Sequence, residues 1–242
     1  MCIGAQTNGM KTSNKNCNVQ RDQRCCGGGD DLSSQQTFAL STTKNFVANE
    51  QDMYDAMDLE HYRYVVTLRN SRDRYLSHWK HVVRAFYPNY TTDFVTWWQN
   101  QPDNWNFRKI CGTRCMSVPK FQITESLFQY TVDRLQNFED ILLFERFNET
   151  FATFAQNVGW NKMPLTKGGK KKNVTYPDAG GEWDPLMSAL DDALYEMGEA
   201  RVRGESGTLL STGTLEAVHR YFETGKDRFC DSPCCSSVCS AY

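Results

Sequence analysis

Long apolar stretches are missing from this 242-residue chain: the longest runs reach about four or five residues, against the roughly 20 that a membrane-spanning helix needs. No signal-peptide pattern follows Met1, so membrane attachment is expected only through an anchor that this sequence does not contain. An excess of charge of one sign is also missing. Lys and Arg number 27 against 29 Asp and Glu, a net charge of -2, which excludes general attraction to nucleic acid or to an acidic membrane surface. Recognition of an anion must therefore come from local placement of Lys and Arg. No internal repeat is present, and metal-binding spacings are scarce. Adjacent Cys234 and Cys235 with a three-residue gap on either side fit no C-x-x-C pair, and no histidine lies near them, so no metal is expected.

What is present describes a globular protein with uneven ends. A composition of 40% hydrophobic and 23% charged residues is enough for a full core. Residues 1–44 are polar and Gly/Ser/Asn/Gln-rich and read as a poorly structured, Cys-containing extension; residues 45–229 carry the domain, and 230–242 form a Cys-rich tail. The ten cysteines fall into three groups: Cys2, Cys17, Cys25 and Cys26; Cys111 and Cys115; and Cys230, Cys234, Cys235 and Cys239. An even number clustered in the ends and one loop suits disulfides in an oxidising compartment. The sequons at Asn89, Asn148 and Asn173 agree with a secretory-pathway address.

Within the domain, strand and helix patterns alternate. Tyr64 to Leu68, "YVVTL", is a continuous apolar run rich in β-branched residues and predicts a strand covered on both faces. Tyr75, Leu76, Trp79, Val82, Val83 and Phe86 then mark one face of a helix from near Ser71 to before Pro88. Leu127, Phe128, Val132 and Leu135 predict a second helix, and Ile141 to Phe144, "ILLF", a second buried strand. Asn148 reads as the N-cap of a helix carrying Phe151, Phe154, Ala155 and Val158 and stopping at Gly159. Two more helices follow, one capped by Asp184 with Pro185 in its first turn and Leu186, Leu190, Leu194 and Met197 inward, the other carrying Leu215, Val218 and Phe222 before Gly225. The alternation predicts an α/β layer with a parallel sheet, where ligands bind at the C-terminal ends of strands.

One such end stands out. In "RYVVTLRNSRDRYLSHW", residues 63–79, Arg69 closes the first strand, Asn70 and Ser71 form the turn, and Ser77 sits in the second turn of the helix. A phosphate there would meet free backbone N–H groups, the positive end of the helix dipole, a guanidinium fork and a hydroxyl. The plainer reading is a solvated helix whose charges face water, with Arg74 paired to Asp73 or Asp58.

The segment Arg69-Asn70-Ser71-Arg72-Asp73-Arg74-Tyr75-Leu76-Ser77-His78-Trp79 resembles the R-[DN]-P-x-x-R-x-x-S-x-[YFW] segment of sulfotransferases that use 3'-phosphoadenylyl sulfate. The resemblance implies a P-loop-like parallel sheet flanked by helices, with Arg69 and Ser77 binding the nucleotide 3'-phosphate and Arg74 in support. Ser71 replaces the family's proline. "DILLFERFNETFATFAQNVGW", residues 140–160, resembles the family's later strand and helix, and "LDDALYEMGEARV", residues 190–202, resembles an Asp-x-x-Leu-Tyr helix of Golgi carbohydrate members. "KGGKKKNVT", residues 167–175, stands where the family has a mobile basic loop. Together these imply transfer of a sulfuryl group from 3'-phosphoadenylyl sulfate to a hydroxyl of a glycan or glycoprotein acceptor in the Golgi lumen.

Other family parts are harder to place. The only candidate for the 5'-phosphosulfate loop is "GAQTNGMKTS", Gly4 to Ser13, which offers Gly9, Lys11, Thr12 and Ser13 but no Pro-Lys pair and equally reads as polar tail. No catalytic base is assigned: Thr43 and Lys44 stand where a histidine is common, His61 is at the wrong strand end, Glu50 is conceivable, and His78 and His81 face away. Trp97, Trp98, Trp105 and Phe107 read as core or loop anchors more readily than as a sugar platform, and Cys111 with Cys115 as a staple of that loop. A noncatalytic sulfotransferase-like protein that binds a nucleotide, glycan or protein partner is the alternative.

Overall fold

The computed structural model describes residues 57, 59–60, 63–80, 93–160, 183–205 and 210–230. The expectations for Lys11 and the rest of the phosphate-loop candidate, for the helix beyond Lys80, for the basic loop at 167–175 and for both Cys-rich ends lie outside these residues. In chain order the elements are β1 (Val65–Leu68), α1 (Ser71–His78), α2 (Phe94–Gln99), α3 (Trp105–Cys111), α4 (Thr113–Met116), α5 (Glu125–Gln136), β2 (Asp140–Leu143), α6 (Phe147–Asn157), α7 (Ala189–Val202) and α8 (Thr212–Cys230). Single 3-10 turns at Phe144–Arg146 and Pro185–Met187 lead into α6 and α7. The described residues thus form a mixed α/β architecture, mostly helical, around a two-stranded parallel sheet.

Register makes the sheet two-sided. Val66 pairs with Ile141 and Leu68 with Leu143, while Val65 pairs with Asp140 and Thr67 with Leu142. Because side chains alternate across a strand, Val66, Leu68, Ile141 and Leu143 point into the main core with Leu190 and Leu194 of α7. Leu142 and Val65 meet Phe151, Phe154 and Ala155 of α6 on the other face. The two faces explain why β2 reads as a continuous apolar run. Gly198 lets α7 approach closely, since a Cβ there would lie 2.5 Å from Leu68 Cδ1 and 3.3 Å from Ile141 Cγ2. Arg201, one turn later, donates to the carbonyls of Leu135, Gln136, Phe138 and Glu139 at the end of α5, a cation at a helix C-terminus.

Several expectations are corrected. β2 ends at Leu143 rather than Phe144, whose ring turns outward and is 49% exposed. Asn148 does not cap α6: the 3-10 turn carries the chain straight from β2 into the helix, Arg146 occupies the N-cap position without a side-chain bond, and Asn148 lies inside the first turn. Thr150 fastens this junction by accepting the Leu143 amide at 3.1 Å. Asp184 does cap, but it caps the 3-10 turn by accepting the Leu186 amide at 3.0 Å, and α7 proper begins at Ala189. α8 continues through Gly225 to Cys230. The stretch around Trp97 to Cys115, read from sequence as a loop, forms the helices α2, α3 and α4. Asn70 caps α1 through the Asp73 amide at 3.2 Å, and Gly159 adopts the left-handed φ of 70° expected of a stop.

Candidate functional site

β1 delivers Arg69 to the C-terminal edge of the sheet, and α1 starts two residues later. The Arg69 guanidinium lies 4.3 Å from the centre of the Phe144 ring, so the residue that leaves β2 supports the residue that leaves β1. Its Nε is buried and has no hydrogen-bond partner among the described residues. Its carbonyl accepts the Asn106 side-chain amide at 3.4 Å. Arg74 stands over Trp105 at 5.6 Å. Burial pulls its pKa below the usual guanidinium value; Asp191 and Tyr75 oppose that shift, and the nearby positive charge of Arg69 adds to it. Ser77, half-buried, is three positions on from Arg74 and shares its flank of α1. The buried face of the same helix holds Ser71 and Tyr75.

Two features of this junction differ from the sequence reading. Arg74 forms no ion pair with Asp73, Asp58 lies outside the described residues, and among those described the carboxylate that acts on Arg74 most is Asp191. The Asn70 amide is not free for a ligand either, because it donates to Glu145 Oε1 at 3.1 Å, and Tyr195 Oη donates to the other oxygen of the same carboxylate at 2.9 Å. Asn70 also lines a cleft of about 420 Å³ with Arg72, Trp183, Asp192, Tyr195 and Glu199. The start of α1 thus faces a cleft that carries the carboxylates of Asp192 and Glu199 beside the Arg72 guanidinium.

Behind the arginines, α3 and α7 cap each other. Asn104, left-handed at φ 49°, accepts the Leu190 and Asp191 amides through its side-chain oxygen at 2.8 and 3.3 Å. Asp191, 1% exposed, accepts the Phe107 amide at 2.6 Å and the Asn106 amide at 3.1 Å. Burial pushes the Asp191 carboxyl up to about 7, against the opposing pull of the Phe107 amide, Arg74 and the Asn106 amide. Deeper still, Asp103 accepts from Arg108, Asn104 and Tyr221. The buried Tyr221 hydroxyl is pushed far above its usual value by burial and by the Asp103 charge. Sequence reasoning missed this carboxylate network. Its one legible trace is the Asp103-Asn104 pair before an apolar stripe, a helix-start signal.

The aromatic residues sort by depth. Trp97, Trp98 and Phe107 are buried, Trp98 stacks on Trp183 at 4.0 Å, and His78 stacks on Trp97 at 5.7 Å. Trp105 is half-buried beneath Arg74 and Lys109. Cys111 and Cys115 form a disulfide across the turn between α3 and α4. Lys11, Thr43, Lys44, Glu50, His61 and His81 lie outside the described residues. Among those described, no helix is long and apolar enough to cross a membrane, and no group of three or more His, Cys, Asp or Glu side chains is arranged to hold a metal ion. Comparison with family models, curated proteins and solved structures finds no match to the chain.

Proposed function

We propose that the chain binds the 3'-phosphate of an adenosine nucleotide at the end of β1 and, as a sulfotransferase-like enzyme, transfers a sulfuryl group from 3'-phosphoadenylyl sulfate to a carbohydrate hydroxyl in the secretory pathway. The observation that carries this reading is the pair Arg69 and Arg74. Two neighbouring guanidinium groups are held against aromatic rings, and the Nε donor of Arg69 is buried without an acceptor among the described residues. Cations brought together at this cost in desolvation and mutual repulsion are best explained by an anion that takes up their donors. Ser77 on the same flank supplies a hydroxyl, and the spacing of all three agrees with the sulfotransferase segment quoted above.

Bound there, the co-substrate would bring the transferable sulfuryl group, while this chain's residues would bind and orient the nucleotide; Arg69 would grip phosphoryl oxygens with its fork and Arg74 would neutralise their charge. Titration with adenosine 3',5'-bisphosphate tests the site. Arg69→Ala should weaken binding more than tenfold, since a charge-assisted hydrogen bond contributes about 1.5 to 3 kcal/mol. Equal affinity in the variant would remove Arg69 from the site.

The second reading, a noncatalytic binding protein, is favoured by Glu145. Its carboxylate takes the Asn70 amide at 3.1 Å and adds negative charge at the sheet edge where the nucleotide would lie. Turnover of labelled sulfate donor on a panel of glycans separates the two readings: transfer supports the enzyme, and nucleotide binding without transfer supports the binding protein.

A further inference from the structure

We propose that Asp191 is the positioning counter-ion of this anion site: it holds α3, and through α3 both arginines, and it takes up a proton when an anion binds. The inference rests on the phosphate reading of Arg69 and Arg74. Its geometric basis is a chain of contacts that starts from one buried carboxylate. Asp191 fixes the amides of Asn106 and Phe107 at 3.1 and 2.6 Å, which sets the first turn of α3. That turn carries Trp105, on whose ring Arg74 rests at 5.6 Å, and Asn106, whose side chain holds the Arg69 carbonyl at 3.4 Å. α7 thereby positions groups that come from β1 and α1, and Asn104 returns the restraint by holding the Leu190 and Asp191 amides.

The electrostatics give this arrangement a function beyond packing. Arg74 and Asp191 act on each other without a direct ion pair among the described residues. In the empty site the ionised Asp191 offsets part of the charge of Arg74. A ligand anion at Arg69 and Arg74 supplies that negative charge from outside, raises the local negative potential, and favours the protonated carboxyl, whose ordinary range burial has already moved to about 7. Other titratable groups that face this pair are Tyr75 from α1, which is pushed up by burial and by Asp191 itself, Asp192 from α7, and Asp103 beyond Tyr75. His78 lies at the far end of α1, stacked on Trp97.

The test uses inorganic sulfate, which carries no proton in this range, alongside adenosine 3',5'-bisphosphate. Affinity is measured by calorimetry from about pH 5.5 to 8.5 with the full chain and with Asp191→Asn. Wild-type affinity for sulfate should fall about fivefold between pH 6 and pH 8, as a coupling of roughly one pKa unit to a group titrating near 7 implies. Asp191→Asn should stay within about twofold over the same range and bind sulfate at pH 8 more tightly than the wild type. Titrations of the wild type in buffers of different ionisation enthalpy should show net proton uptake near pH 7, a measurement that needs no variant to fold. A wild type that binds sulfate with no proton uptake, or a pH slope of equal size in Asp191→Asn, overturns the assignment. Failure of the wild type to bind either probe at any pH overturns instead the phosphate reading on which it rests.

Discussion

Replacing Arg108 with methionine probes the densest polar knot among the described residues. The guanidinium is 2% exposed and every one of its nitrogens donates: Nε to the Asp103 carbonyl at 2.8 Å, Nη1 to the carbonyls of Cys115 and Val118, both at 2.6 Å, and Nη2 to the Asp103 carboxylate and the Pro119 carbonyl. Methionine fills much of the same volume and offers no donor. Asp103 then remains a buried carboxylate held, among the described residues, by Asn104 and Tyr221, and the turn carbonyls after α3 lose their donors. Removing one partner of a buried pair costs about 3 to 5 kcal/mol, a large part of the roughly 5 to 15 kcal/mol that holds a domain together. Urea unfolding followed by the fluorescence of the buried tryptophans should show a loss of that size. Should Arg108→Met fail to fold, Arg108→Lys, with three donors in place of five, is expected to lose about 2 to 3 kcal/mol. Adding Asp103→Asn to either variant should recover part of the loss, because the orphaned charge goes with it. A loss under about 1 kcal/mol would refute the premise that this guanidinium holds the turn.

The remaining predictions concern the site and the sheet. Arg69→Ala should weaken adenosine 3',5'-bisphosphate more than tenfold by titration, and the pH slope for sulfate should vanish in Asp191→Asn, as set out above. Asp191 should also mark the stability profile. Its folded value is raised from 3.8 to about 7, so its contribution is fully present below about pH 4 and is lost as pH rises to about 7, on the order of 4 kcal/mol in all. The stability difference between wild type and Asp191→Asn should shift toward the variant by that order across this window; a constant difference would count against it. Gly198→Ala should lower Tm, because a Cβ 2.5 Å from Leu68 Cδ1 overpacks a closed core by about 1 to 3 kcal/mol, more than the roughly 0.5 to 1 kcal/mol gained from helix propensity. A higher Tm would mean that Leu68 can move aside.

The sheet was legible because its strands are covered on both faces, which writes an apolar run into "YVVTL" and "ILLF" directly. Helices α1, α5 and α7 were legible from three- and four-residue spacing. The segment from Phe94 to Met116 was not, since α2, α3 and α4 have only 6, 7 and 4 residues, too short for a period to register, and they interleave Trp and Phe with Asn and Asp that serve as caps. The junction of Asn148 failed for a related reason: a cap signal was present, but the 3-10 turn from Phe144 made it unnecessary. For the site, the cations were legible and their counter-charges were not. Arg69, Arg74 and Ser77 lie within nine residues of one another, whereas Glu145 reaches Asn70 across 75 positions and Asp191 reaches Phe107 across 84. Spacing along the chain carries no record of those approaches.

Reciprocal capping of α3 and α7 makes each helix the other's missing terminus. A fragment ending ahead of Asp184 would take the Asp191 carboxylate from the amides of Asn106 and Phe107, so the damage of such a cut falls on a turn 84 positions upstream as well as on the severed end. Proteolytic or genetic shortening from the C-terminal side is therefore an operation on the floor beneath the two arginines, and it also removes the carboxylate whose charge opposes that of Arg74.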